Sequence, residues 1–455
     1  MNKINRRDFV QKTSALSMGA LLLPNLDLFG KDEDQMKKWL NSMEDPVYGM
    51  IEGEPDLDTI LGLFSRPKGV PAYDPMEIRE NIDKLRTFPM VNTGHPFLDL
   101  SIKTGLAHVD ATFEGDHPKY GTGVYGELEH DGFPPTIIAA VDALSSWGLN
   151  VRAKELFRYW VTNFIHIKNH ADPDMEKGRI YYYGPSIVEY GKILHTATIL
   201  YERAGKDNWW QDCFKQLDLL TEYVLQLHAE ALKNSNGLII GAPEADTRKD
   251  SDIYFHNNSW IVKGLNQWMK LCKMSKATPT TSLQMVQKVS DQVKVATLKA
   301  IDQSWPSNKN DWWLPVLYGS KIKPKSLTDG REASYTNYRY MIELLSSDIL
   351  SDEMANRLVD ARLKGGGQFC GMTRFMGSLD DWTLYDYLYG LWKLGRKKDF
   401  LISLYGHISY HQCEGHLTAY EQFNFPGYPY GSKKADYCLP SQLVAARAGR
   451  FLNKS

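Results

Sequence analysis

The chain has 455 residues, a formal net charge of −2 and 24% charged residues. This near balance excludes a nucleic-acid partner chosen by overall charge. The length accommodates two to three domains or one large all-helical domain. The 12 Trp and 25 Tyr can serve both a large core and the C–H faces of sugars.

The first segment, NRRDFVQKTSALSMGALLLPNL, pairs Arg6 with Arg7 and continues through Phe9 into a short apolar run. It resembles a twin-arginine export signal, with Asn5 where Ser or Thr is more usual. The apolar run at 16–23 is too short to span a bilayer, and no cysteine follows it to carry a lipid anchor. Residues 1–30 are therefore read as a signal segment of an exported, periplasmic or extracellular protein without a stable membrane span. Residues 31–95 are spotted with Pro and Gly and read as an N-terminal arm, with one short helix near PMEIRENIDKL. The five cysteines show no CxxC spacing, and a chain of this size needs no disulfide framework. A Cys413–Cys438 bridge is the one pairing the sequence invites.

From about residue 96 the apolar period is helical. The helix near HPFLDLSIKTGLAH comes first. Then PTIIAAVDALSSWG pairs with NVRAKELFRYWVTNFIHI, and SIVEYGKILHTATILYERAG with DNWWQDCFKQLDLLTEYVLQLHAEAL. NNSWIVKGLNQWMKLCKM pairs with TSLQMVQKVSDQVKVATLKAID, and NYRYMIELLSSDIL with SDEMANRLVDARLKG. The last clear pair is DDWTLYDYLYGLWKLG with KKDFLISLYGHISYHQ. Gly148, Gly205 and Gly395 each stand at a helix stop, where a left-handed cap favours glycine. The tight turns beyond them make each pair antiparallel. The first helix and the terminal LPSQLVAARAGRFL supply a sixth hairpin. The prediction is an all-α (α/α)6 toroid over residues 96–455.

Longer aromatic and charged loops join the pairs, and in a toroid they emerge on one rim. Such loops carry function more often than fold. GHLTAYEQFNFPGYPYGSKKADYCLPSQ, the last of them, holds Glu421 behind Thr418 and Tyr420.

At these residues the chain resembles the six-hairpin glycosidases, the (α/α)6 group that includes α-L-rhamnosidases, glucoamylase-like enzymes and unsaturated uronyl hydrolases. Thr418-Ala419-Tyr420-Glu421-Gln422-Phe423 is similar to the Thr-x-Trp-Glu-x-Trp pattern of rhamnosidase-type enzymes, with Tyr420 and Phe423 in place of both tryptophans. The resemblance implies that Glu421 is a general base. It also implies a carboxylic acid from a middle loop, where GAPEADTRKDSD offers Glu244 and Asp246.

Glycoside hydrolysis requires two carboxyl groups flanking the bond, one to protonate the leaving oxygen and one to activate water or attack. Glu421 with Glu244 or Asp246 fits that requirement. YGELEHDGFPPT brings Glu129, His130 and Asp131 to the same rim as substrate contacts. His256 and Asn257 in YFHNNSW open the next inner helix. One of Asn257 and Asn258 is read as its N-cap and the other as a sugar ligand. Tyr182, Trp382, Tyr420 and the Trp312–Trp313 pair are candidate sugar platforms, whereas Trp209 and Trp210 read as structural. Arg179, Arg248, Arg331 and Arg374 lie in four rim loops. Their convergence would extend the expected substrate to a uronate or sulfated glycan, because the guanidinium fork binds such groups bidentately.

Two other readings use the same residues. A polysaccharide lyase would move the α-proton with groups such as His256, Asn257, Tyr335, His416 or Tyr420. A non-catalytic glycan-binding protein would use the aromatic rim alone. No histidine or aspartate spacing resembles a metal site, and no phosphate loop is present, so no cofactor or metal is expected. The expected partner is a carbohydrate. Oligomeric state is not encoded in any feature of the sequence.

Overall fold

The computed structural model describes residues 91–122, 125, 130–168, 176–180, 186–205, 207–244, 250–412, 417–424 and 437–454. The signal segment, the N-terminal arm up to residue 90 and Cys413 lie outside the described residues. The chain divides into two compact units. One comprises His108–Ile322 and Tyr340–Ala355, and the other runs through Ala107, Lys323–Arg339 and Asn356–Ser455.

In the first unit the predicted pairs form α2 (Pro134–Ser146) and α3 (Asn150–Phe164), α4 (Val188–Ala204) and α5 (Asn208–Asn234), then α6 (Phe255–Ser275) and α7 (Leu283–Ser304). Two kinds of helix alternate. The run PPTIIAAVDALSS starts with two prolines, whose fixed φ suits a first turn, and α2 is buried almost all round. The next helix, α3, buries Ala153, Leu156, Phe157, Trp160, Val161 and Phe164, one stripe at helical spacing. The same contrast separates α6, buried through most of its length, from α7, which buries a stripe from Val286 to Ile301. An apolar helix such as α2 must be surrounded and a striped helix can face water, whereas α6 is buried although it carries His256, Asn257, Asn258 and Lys263. Gly148, Gly205 and Gly395 adopt φ of 77°, 73° and 69°, the positive range that favours glycine.

The inner helices α4 and α6 cross backbone to backbone. A Cβ on Gly264 would lie 2.4 Å from Gly191 Cα, and one on Gly191 would lie 2.0 Å from the Trp260 carbonyl oxygen. Only paired glycines permit that approach.

The second unit holds α1 (Pro96–Thr112) through Ala107, then α8 (Gly330–Tyr335), which runs into a π-helical turn at Thr336–Tyr340. The next helix in the sequence, α9 (Met341–Ser346), belongs to the first unit. Next come α10 (Asp352–Lys364), α11 (Leu384–Lys393) and α12 (Lys397–Gly406), which ends in a second π turn at His407–His411. The chain ends in α13 (Leu439–Gln442), α14 (Val444–Gly449) and a final 3₁₀ turn. First and terminal helices meet as the sixth pair. The Cβ position of Gly105 falls 2.9 Å from the Gln442 carbonyl oxygen, and that of Gly449 falls 2.5 Å from Ile102 Cδ1.

One departure from an all-helical reading matters for the site. The stretch GGGQFCGMTRFMGSLD, read as a loop, forms β1 (Gln368–Phe369), β2 (Met372–Phe375) and β3 (Ser378–Asp380), and β4 (Gln422–Asn424) joins β3. The order is β1-β2-β3-β4 and every pairing is antiparallel. Cys370 and Gly371 turn the first hairpin with φ of 50° and 79°, both positive as a two-residue type I′ turn requires. Cys438 is buried and donates its S–H to Ser441 Oγ at 3.1 Å; its invited pairing with Cys413 lies outside the described residues. Among the described residues no helix is long and apolar enough to cross a membrane.

Candidate active site

The ladder between β3 and β4 pairs Asp380 with Gln422 and Leu379 with Phe423. Glu421, half-buried, immediately precedes that ladder. Asp380 is fully buried. Its Oδ1 accepts the Trp382 backbone N–H at 3.3 Å, and Oδ2 has no hydrogen-bond partner among the described residues. Burial first, and the negative charge of Glu421 second, push the Asp380 carboxyl well above the usual range. The Trp382 N–H and the Gln422 side chain oppose that rise, and Asp381 adds to it.

Asp381 points into a different environment. Its Oδ1 accepts the Thr373 N–H at 2.8 Å, and its Oδ2 accepts from His407 Nδ1 at 3.0 Å. Nδ1 of His411 lies 3.7 Å from the same oxygen. Burial works against the Asp381 charge, but His411, His407 and the Thr373 N–H outweigh it and hold this carboxyl below the usual range. The two histidine rings stack at 5.2 Å and 20°. His411 Nε2 donates to the Tyr420 carbonyl at 2.6 Å, and burial lowers this imidazole to about 4. The ligand-type atoms of Asp381, His407 and His411 lie within 4.8 Å of one another, and these three side chains are the group in the described residues that could hold a metal ion. The His407 bond to Asp381 already occupies the nitrogen a metal would need. Freeing it would leave a proton on Nε2, which is buried and without a partner. We therefore read the group as a hydrogen-bonded cluster.

Around this centre, Trp382 is 6% exposed, and its indole N–H donates to Tyr338. The Arg339 guanidinium lies over the Trp382 ring at 5.1 Å. Asn337, on the first π turn, donates to the carbonyls of Gly367 at 2.9 Å and Arg374 at 2.7 Å, pinning the β-meander. Arg374 is buried and donates to the Gly366 carbonyl at 3.1 Å. Arg331 donates to the Tyr335 hydroxyl at 3.4 Å and stacks on that ring. Tyr420 is half-buried and bridges to Tyr437.

The other unit carries a second set of expected residues. Glu244 is 2% exposed. His256 is fully buried, donates from Nε2 to the Pro243 carbonyl at 2.9 Å, and stacks on Tyr340 at 4.6 Å. Asn257 donates to the Ala242 carbonyl at 2.8 Å. Asn258 accepts the Ile239 N–H at 2.8 Å and donates back to the Ile239 carbonyl at 3.0 Å. Neither asparagine caps α6, whose N-cap is Tyr254 without a side-chain bond. Both lie inside the helix and tie down the preceding loop, since a buried loop must have its carbonyls satisfied. Nearby, Lys192 Nζ binds Glu343 Oε1 at 2.8 Å in a buried ion pair. Asp131 binds His117 at 2.7 Å and Lys119 at 2.8 Å. Burial works against its charge, but these two partners hold its carboxyl low. His130 is enclosed by Tyr120, Tyr125 and Phe133. Trp209 and Trp210 are buried as structural residues. Asp246, Arg248, Glu129, Tyr182 and His416 lie outside the described residues.

Sequence reasoning misses Asp380, Asp381, His407 and His411. The available signals are the adjacent carboxylates of SLDDW and the histidine pair of HISYH.

No protein-family model and no curated protein sequence matches the chain. Solved structures do match in fold. A wild-type glycosidase superposes with a TM-score of 0.54 at 11% identity, covering 78% of this chain and 98% of that one. A rhamnosidase from Klebsiella oxytoca with rhamnose bound gives 0.51 at 10% identity, covering 81% and 65%. A Streptococcus pneumoniae protein, from a family described as metal-independent alpha mannosidases and solved with alpha-1,6-mannobiose, gives 0.54 at 10% identity, covering 84% and 99%. The fold is the (α/α)6 fold of six-hairpin glycosidases.

Proposed function

We propose that the protein is a glycoside hydrolase in which Asp380 and Glu421 flank the scissile bond. One observation carries the assignment of roles. Asp380 is buried beside Glu421, and its proton is held by both burial and that neighbouring charge. A carboxyl group that keeps its proton beside a second carboxyl group is what acid–base cleavage of a glycosidic bond requires.

In this reading Asp380 donates its proton to the leaving oxygen. Oδ1 accepts the Trp382 N–H, so the proton sits on Oδ2. Glu421 is the carboxylate that activates water or attacks the anomeric carbon. As the leaving group departs, Asp380 becomes the anion and Glu421 loses its charge, so the repulsion between them never reaches its full value. In this conformation Asp380 is fully covered, and the mechanism requires that substrate binding uncovers Oδ2.

The glycosidase fold supports a carbohydrate substrate. The matched structures hold glucose, rhamnose and a mannobiose, so hexosides are the first class to try. The extension to uronate or sulfated glycans rests on the rim arginines. Export by the twin-arginine-type segment would place the enzyme with polysaccharide outside the cytoplasm.

The test is turnover of glucosides, rhamnosides, mannosides and uronate oligosaccharides by wild type, Asp380→Asn, Glu421→Gln and Glu244→Gln. Reducing ends report hydrolysis, and absorbance near about 235 nm reports the conjugated double bond of an elimination product. Reducing ends without absorbance, lost in both Asp380→Asn and Glu421→Gln, are expected. Absorbance that survives both changes would move the protein to the lyases. Activity that is lost in Glu244→Gln and kept in Asp380→Asn would return the acid role to the middle loop.

A further inference from the structure

We infer that His411 is a positioning residue that sets the separation of the Asp380 and Glu421 carboxyl groups, an inference that rests on the hydrolase reading of that pair. Glu421 is held between two anchors. On one side Gln422 is locked opposite Asp380 in the β3–β4 ladder. On the other side the carbonyl of Tyr420 accepts the His411 Nε2–H at 2.6 Å.

The His411 anchor leads back to Asp380 by a separate route. The ring of His411 stacks on His407, and His407 binds Asp381, the residue next to Asp380. Asp381 is itself fixed to β2 through the Thr373 N–H. Asp381, His407 and His411 are all buried, so no water competes for these bonds. Each end of this internal strut is therefore one residue from a catalytic carboxyl group. Both histidines come from the π turn His407–His411, and such turns recur where a helix presents side chains to a functional site. The separation of the two carboxyl groups decides whether water fits between one of them and the sugar. A displacement of about 1 Å at such a centre can cost on the order of 10²-fold in rate.

The experiment compares wild type with His411→Leu, which has no donor for the Tyr420 carbonyl, and His411→Gln, which keeps one. Circular dichroism selects folded protein. In His411→Leu, kcat should fall on the order of 10²-fold while KM stays within about threefold. His411→Gln should recover most of the loss. A second readout needs no turnover. The carboxyl carbon of Asp380, followed by ¹³C NMR, should titrate closer to an ordinary aspartate in His411→Leu, because Glu421 has moved away. Should His411→Leu not fold, His411→Asn, too short to reach the carbonyl, replaces it with the same expected readouts. A folded, donor-free variant with unchanged kcat and an unchanged Asp380 titration overturns the inference. A parallel loss of kcat and rise in KM that His411→Gln does not rescue also overturns it, since that pattern is general loosening. If wild type cleaves no glycan, the hydrolase reading fails, and the Asp380 titration alone decides whether His411 sets the spacing.

Discussion

Asp380 stands opposite Gln422 across a three-residue ladder, and Glu421 is the residue that leads into that ladder. A slip of one residue would exchange the faces that Gln422 and Glu421 present relative to Asp380. The electrostatics of the pair are thus a consequence of strand register.

Neutralising Glu421 should release Asp380. Burial and the Glu421 charge both raise the Asp380 carboxyl. Glu421→Gln removes the second cause and leaves the first. The Asp380 pKa should fall and remain above that of an ordinary aspartate. Carboxyl ¹³C titration of wild type and variant measures this directly, and an unchanged titration would show that the two groups do not share a site.

If Asp380 is the acid, kcat/KM should be lost as pH rises through its raised pKa, because the acid must carry its proton. The basic limb of the pH–rate profile then belongs to Asp380. Asp380→Asn should abolish that limb together with about 10²-fold or more of the rate, the ordinary contribution of a general acid. Rate measurements from pH 4 to 9 on a hexoside with a poor, alkoxide-type leaving group provide the check, since departure of such a group depends on protonation.

The helices were legible because burial is written in their composition. PPTIIAAVDALSS has no polar face, and NVRAKELFRYWVTNF has one. The meander was not legible, because strands of two to four residues are too short to show alternation. Its turn signals, Cys370-Gly371 and Met376-Gly377 between Phe and Met or Ser, were present all the same. Glu421 stands in a recognisable local pattern. Asp380 does not, because it reaches Glu421 through a sheet that the sequence conceals. His256 and Asn257 looked sugar-facing as polar residues in an aromatic setting, and their bonds go to the carbonyls of the loop before α6.

His411 should make the fold acid-sensitive. Burial lowers its folded pKa to about 4 from the ordinary 6.5. The unfolded chain therefore binds a proton first as pH falls. The stability linked to this group is fully present above about 6.5 and is lost as pH falls toward 4, with a size on the order of 3 kcal/mol. Urea unfolding at pH 7 and pH 4.5 should show a wide gap in wild type and a narrower one in His411→Gln.

The contact between α4 and α6 should tolerate no side chain. In Gly264→Ala the new methyl group would sit 2.4 Å from the Gly191 Cα, where no rotamer change can relieve it. The helices must separate, at a cost of about 3 kcal/mol or more. Gly205→Ala meets no atom within 4 Å but keeps a φ of 73° with a ψ of −179°, which costs about 1–3 kcal/mol. Thermal unfolding of both variants should rank them in that order. The reverse ranking would mean that the inner helices do not approach this closely.

The ion pair inside the first unit should behave asymmetrically. Lys192 is 8% exposed and Glu343 is 1% exposed, so both charges have left most of their water. Lys192 Nζ also lies 5.1 Å from the centre of the Trp260 ring. Lys192→Met keeps the aliphatic stem and removes the charge that offsets Glu343. The carboxylate then remains buried with its cation gone, a loss of about 3–5 kcal/mol. Lys192→Met combined with Glu343→Leu removes both charges, and apolar replacements of similar volume are often neutral or stabilising. The double variant should therefore unfold at a higher urea concentration than the single one. If the two losses simply add, Lys192 and Glu343 do not interact, and the 2.8 Å contact contributes nothing to holding α4 against α9.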